Sequence, residues 1–146
     1  MKRHILFLAI LLSSFSCQAQ ISLDTPDGIL DNFFKIYAKT GLAAAVENIY
    51  TYGDESMQQS LKYVKDTIVH TADNMGGKYL GNELITKKSV TPSLVLYSYL
   101  VKLPFAPLRL TFVFYKPKDK WMVENFLFDS NTISELIKAS RVDSPK

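Results

Sequence analysis

The sequence predicts an α+β fold, with N-terminal helices packed on one face of a curved antiparallel sheet of about four strands and a helix at the C-terminus. Two observations carry this. Apolar residues recur every three or four positions as far as Met75, and from Lys78 onward the period falls to two. Hydrophobic residues make up 47% of the 146 and charged ones 21%, a globular composition with too much apolar matter for a disordered chain.

Thr25 followed by Pro26 opens the first helix, because threonine caps free N–H groups and proline suits the first helical position. Ile29, Leu30, Phe33, Phe34 and Tyr37 form its apolar stripe, and Gly41 ends it. Leu42, Ala45, Val46 and Ile49 define a short second helix. The third carries Met57, Leu61, Val64, Ile68, Ala72 and Met75, and stops at Gly76 and Gly77, which take a left-handed conformation without steric cost. Strands are expected over residues 79–85, 94–103, 108–116 and 121–128. A last helix starts at Asn131 or Thr132 and carries Ile133, Leu136 and Ile137.

The first residues carry a targeting signal. Lys2, Arg3 and His4 precede a short apolar run and then small residues up to Ala19, so residues 1–19 read as a signal peptide and residues 20–146 as one domain. The apolar run falls short of the roughly 20 residues that span a bilayer, and no transmembrane segment is expected. Cleavage after Ala19 releases a soluble periplasmic or secreted product starting at Gln20; the rival route is a lipid anchor at Cys17, disfavoured by the order Ser14, Phe15, Ser16 before it. Cys17 is the single cysteine, so the released product has neither a disulfide nor a catalytic thiol.

Taking Lys2 and Arg3 away with the leader lowers the formal charge of +3 by two. A nearly neutral domain has no basic face for phosphates, and the run from Lys116 to Lys120 is a turn interrupted by Pro117 and Asp119, so no nucleic-acid partner is expected.

The order of elements, with Phe33 to Tyr37, Leu42 to Tyr52 and the stretch from Phe112 through Lys116, Pro117 and Asp119 to Trp121, resembles the nuclear-transport-factor-2-like superfamily. That resemblance implies a cone of helices against a curved sheet. The superfamily contains isomerases, cyclases and dehydratases as well as non-catalytic binding and dimerisation domains, so it implies no single function and carries over no catalytic residue.

Few residues offer chemistry. His70 is the only histidine after the leader, which argues against a metal site. Asp66 and His70, four apart, read as a solvated helix face. Gly76, Gly77 and Gly81 lack the strand, helix and Lys-Ser/Thr ending of a phosphate loop. No cofactor is implied.

Sheet faces give the sharper expectation. With hairpin loops at residues 104–107 and 117–120, Val95, Tyr97, Tyr99, Val101, Leu110, Phe112, Phe114, Val123, Asn125 and Leu127 share the helix-covered face. Leu94, Leu96, Ser98, Leu100, Arg109, Thr111, Val113, Tyr115, Met122, Glu124, Phe126 and Phe128 share the other, which is too apolar for open water and predicts a homodimer through the sheet. Tyr97, Tyr99 and Asn125 are then the polar groups able to bind a small apolar ligand, with no general base beside them. A one-residue change of register exchanges the faces and brings Glu124 into the cavity as a base for proton transfer. The sequence thus favours a non-catalytic exported binding or assembly module of the cell envelope. The alternatives are an isomerase-, cyclase- or dehydratase-like enzyme using Glu124, and an inhibitor or immunity-type partner of another exported protein.

Overall fold

Thr25 caps the first helix as its sequence predicts: the N–H of Gly28 donates to Thr25 Oγ1 at 3.2 Å and Pro26 takes the first turn. A computed structural model describes residues 24–140, so the leader and Cys17 lie outside the described residues. The element order is α1 (Pro26–Thr40), α2 (Leu42–Tyr50), α3 (Glu55–Asn74), β1 (Asn82–Thr91), β2 (Leu94–Val101), β3 (Leu108–Tyr115), β4 (Met122–Asp129) and α4 (Thr132–Ser140). Gly41 turns the chain between α1 and α2 at φ 114°, a region open to glycine at little cost.

Helix α3 begins earlier than its apolar stripe suggests. Asp54 caps it, accepting from the N–H of Met57 at 2.8 Å, and this hydrogen bond together with one from Ser56 holds the Asp54 carboxyl below its ordinary pKa. Of its stripe only Ile68 and Ala72 are fully buried.

The four strands form one antiparallel meander in the order β1-β2-β3-β4. Here the expected curvature is overturned: the sheet is flat and open, with no closing or curling into a cone. The ladder between the inner strands runs unbroken from Leu94 opposite Tyr115 to Val101 opposite Leu108, whereas the irregularities fall where the edge strands β1 and β4 pair with them.

Strand β1 differs from its expected span, starting at Asn82 and running to Thr91. Its second half, Thr86 to Thr91, has no apolar alternation because it is an edge, where lysines such as Lys87 and Lys88 discourage pairing with another chain. The hairpin between β2 and β3 also closes two residues earlier than expected, at Val101 and Leu108. A shift of two preserves the faces, so Val95, Tyr97, Leu110, Phe112 and Phe114 are buried under the helices as the pattern requires.

Strand β4 departs from expectation at one residue. Phe114 pairs with Val123 but Val113 pairs with Asn125, leaving Glu124 as an extra residue in a bulge. Beyond it the alternation inverts: Phe126 is buried on the covered face, and Asn125 and Leu127 turn outward. The aromatic centre of the core follows from this, with Phe112 in ring contact with Phe33 at 5.1 Å and with Phe126 at 5.0 Å. Burial of each such side chain stabilises the fold by about 1.5–3 kcal/mol.

Candidate functional site

The residues proposed from sequence do not converge. Tyr97 is buried under the helices, its ring 5.9 Å from that of Phe114, and Lys87 stands 4.8 Å from its centroid while its ammonium is held by Asp27 at 3.1 Å. Burial raises the Tyr97 pKa, with Lys87 opposing the rise. Tyr99 packs on Phe34 with ring centroids 4.8 Å apart; burial, then the negative charge of Asp27, pushes its pKa up to about 12. Both tyrosines are packed side chains of the aromatic core. Asn125 lies on the opposite face, exposed, because the Glu124 bulge turned it over. Glu124 is itself exposed at that bulge. His70 and Asp66 are separately engaged: His70 Nδ1 lies 3.0 Å from Asn74 Nδ2, and Asp66 accepts from Lys62 Nζ at 2.6 Å. Among the described residues, no group of three or more His, Cys, Asp or Glu side chains is placed to hold a metal ion.

Two other features stand out. The first is the outer face of the sheet, where Leu94, Leu96, Leu100, Val113 and Leu127 project between the polar edge residues Glu83, Thr86 and Lys88 of β1 and the ion pair of Arg109 with Asp129 at 2.9 Å. Ser98 and Thr111 satisfy each other there at 3.3 Å. Arg109 also holds both carboxylate oxygens of Glu135 in α4, at 2.7 and 2.9 Å. This fork is the described link that ties α4 to the sheet, and α4 buries none of its residues. Its stripe of Ile133 (52% exposed), Leu136 (72%) and Ile137 (45%) is left facing solvent beside the outer face.

The second is a cleft of about 460 Å³ between the end of α1, the start of α2 and the C-terminal end of α3, reaching Gly77, Lys78 and Tyr79. Tyr37 forms part of its wall. Periodicity assigns Tyr37 to the core stripe of α1 and is right about its burial, but no sequence pattern reveals that its hydroxyl has no hydrogen-bond partner among the described residues. Burial, followed by the fields of Tyr79 and Asp73, pushes the Tyr37 pKa up to about 12. Gly41 and Gly77, both at positive φ, line this cleft.

These surfaces define an α+β protein with three helices on one face of an open sheet and an opposite face whose apolar middle is half-buried, with Leu127 exposed. No family model matches the chain, and neither does any curated protein or solved structure. The resemblance to the nuclear-transport-factor-2-like superfamily is thereby corrected: the element order and the Phe112 to Trp121 stretch suggested it, but no family model supports it and the flat sheet departs from a cone. Among the described residues no helix is long and apolar enough to cross a membrane.

Proposed function

We propose that the protein is an exported, non-catalytic assembly module of the cell envelope that pairs with a second copy of itself through the outer face of its sheet. The observation that carries this reading is the pair of apolar surfaces that the Arg109–Glu135 fork tethers together: the middle of that face, with Leu94, Leu96, Leu100, Val113 and Leu127, and the exposed stripe of α4. A two-fold interface needs one surface that is complementary to itself, and an apolar helix tethered to an apolar sheet on each copy can supply it. The size is adequate. Four strands about 4.8 Å apart and about eight residues long at about 3.3 Å each present roughly 500 Å², and a helix of this length adds a surface about 14 Å by 10 Å. That approaches the ~800 Å² per partner of a stable interface.

An isomerase-like reading needs a carboxylate in a cavity, and the exposed position of Glu124 gives it no support. Export rests on the basic, apolar and small-residue order of residues 1–19. Mass spectrometry of the processed protein tests it: a first residue at Gln20 supports soluble release, and a lipid on Cys17 replaces it with anchoring. Self-pairing is tested by light scattering at micromolar concentration. A dimer is expected for the native chain and a monomer for Leu127→Lys combined with Leu136→Lys, with unchanged circular dichroism. A native monomer overturns the reading.

A further inference from the structure

The start of α2 is left without a cap. Gly41 supplies no side chain to accept its first N–H groups, no acidic residue stands in the first turn, and the Gly41 N–H is already committed to the carbonyls of Ile36 and Tyr37. The first amides of a helix carry partial positive charge and readily receive a carboxylate. In α2 the first of them belong to Leu42 and Ala43, which help to line the cleft described above.

The same cleft holds an independent sign of a ligand. Tyr37 is 3% exposed and its hydroxyl is buried with no partner among the described residues. A buried polar group left unpaired costs about 1–3 kcal/mol, and such groups are rare in native proteins. With its pKa displaced upward, this hydroxyl stays protonated at neutral pH and is a donor awaiting an acceptor. Tyr79 does not fill that role: its ring lies 4.5 Å from that of Tyr37, and its own hydroxyl donates to Asn82 Oδ1.

The charges around the opening are mixed. Lys78 and Asp73 both border the cleft, both are exposed, and neither enters an ion pair among the described residues. Asp73 would repel a simple anion, and Lys78 with the α2 amides would repel a simple cation. Both are satisfied by a molecule that carries a carboxylate and an ammonium on neighbouring atoms. Gly77 keeps space beside Asp73, since a Cβ at that position would stand 3.2 Å from Asp73 Oδ1. Leu42, Val69 and Ala72 supply an apolar wall for a side chain.

We infer that this cleft binds a small zwitterion, an α-amino acid, with its carboxylate received by the Tyr37 hydroxyl, the first amides of α2 and Lys78, and its ammonium held by Asp73. The volume accommodates an amino acid of moderate size, within the usual range for small-molecule sites. The cleft belongs to the helical layer, away from the outer sheet face, so binding here does not depend on self-pairing.

Titration of the purified protein with L-alanine and L-leucine, followed by ¹H–¹⁵N spectra and calorimetry, tests the inference. Acetate and methylammonium serve as single-charge controls. Saturable binding in the millimolar range or tighter is expected, with the largest shifts at the amides of Leu42, Ala43 and Gly77. Tyr37→Phe should weaken it about tenfold, as loss of a hydrogen bond to a charged group requires, and Asp73→Asn should abolish the preference for the zwitterion over acetate. Equal binding of acetate by the native protein, an unchanged affinity in Tyr37→Phe with native circular dichroism, or no binding at either amino acid's solubility limit would each overturn it.

Discussion

The ring of Phe126 lies against that of Phe112, centroids 5.0 Å apart and planes inclined by 33°, because a single extra residue precedes it in its strand. Without the bulge at Glu124, strict alternation from Val123 would bring Asn125 and Leu127 under the helices and send Phe126 and Phe128 outward. The hydrophobic effect selects the bulged arrangement: two phenylalanines gain burial, and the local cost is one unpaired residue in an edge strand.

Phe126→Ala is therefore expected to destabilise the protein by about 3–5 kcal/mol, while Leu127→Ala, which touches the exposed face of the same strand, costs under about 1 kcal/mol in the monomeric state. Urea unfolding of the two variants in the Leu136→Lys background separates these effects from any change in pairing. Comparable losses for the two substitutions would refute the inverted alternation.

Much of the architecture can be read directly from the residues, and its failures have identifiable causes. The stripes Ile29 to Tyr37 and Leu42 to Ile49 locate their helices because each has a single buried face. The β2–β3 faces survive an error in loop length because the error is even. Two features escape: the second half of β1, whose lysines obey edge chemistry rather than burial, and the bulge, since Glu124 carries no local signature of being unpaired. Alternation places Tyr97 and Tyr99 on the covered face, where their rings lie against those of Phe114 and Phe34. The Tyr37 cleft is a tertiary product of three helix ends, and periodicity reports only that Tyr37 is buried.

Arg109 is expected to govern the order of α4. Arg109→Met removes the two-pronged contact with Glu135 and the bond to Asp129, so α4 should fray. Hydrogen exchange of the α4 amides should accelerate while that of β2 and β3 stays unchanged. Acid should reproduce the effect. The hydrogen bonds from Arg109 hold the Glu135 carboxyl below its ordinary value, so its contribution is present above that value and is lost as the pH falls through the depressed one. Faster exchange in α4 on acidification, absent from Arg109→Met, is the measurement that separates this cause from general acid unfolding.

Gly77→Ala should both strain the backbone and crowd the cleft. Residue 77 has φ 65°, where a side chain costs about 1 kcal/mol, and the added Cβ would press on Asp73. A fall of that size in unfolding free energy is expected by urea titration. Gly53→Ala, outside the left-handed region, is a useful contrast because its Cβ would meet the flexible Met57 side chain.

Tyr37→Phe, by contrast, should leave the protein as stable as before or slightly more so at neutral pH, because it deletes a buried hydroxyl that has no partner and preserves the ring contacts with Phe33 and Tyr79. At high pH the same residue makes the protein vulnerable. Its folded pKa of about 12 lies above the ordinary 10.0, so the native state holds the phenolic proton more tightly than the unfolded chain. The associated stability is complete below pH 10 and drains away as the pH rises toward 12. Lysine deprotonation adds to the loss in this range, since Glu47 raises the pKa of Lys65, and the hydrogen bond with Tyr97, followed by that with Asp27, raises that of Lys87. Denaturant unfolding at a series of pH values should accordingly show a shallower alkaline decline for Tyr37→Phe than for the native chain, so that the gap between the two curves widens as the pH rises. A Tyr37→Phe protein that is markedly less stable at pH 7 would mean that the hydroxyl is already satisfied inside the fold, leaving the cleft without its buried donor.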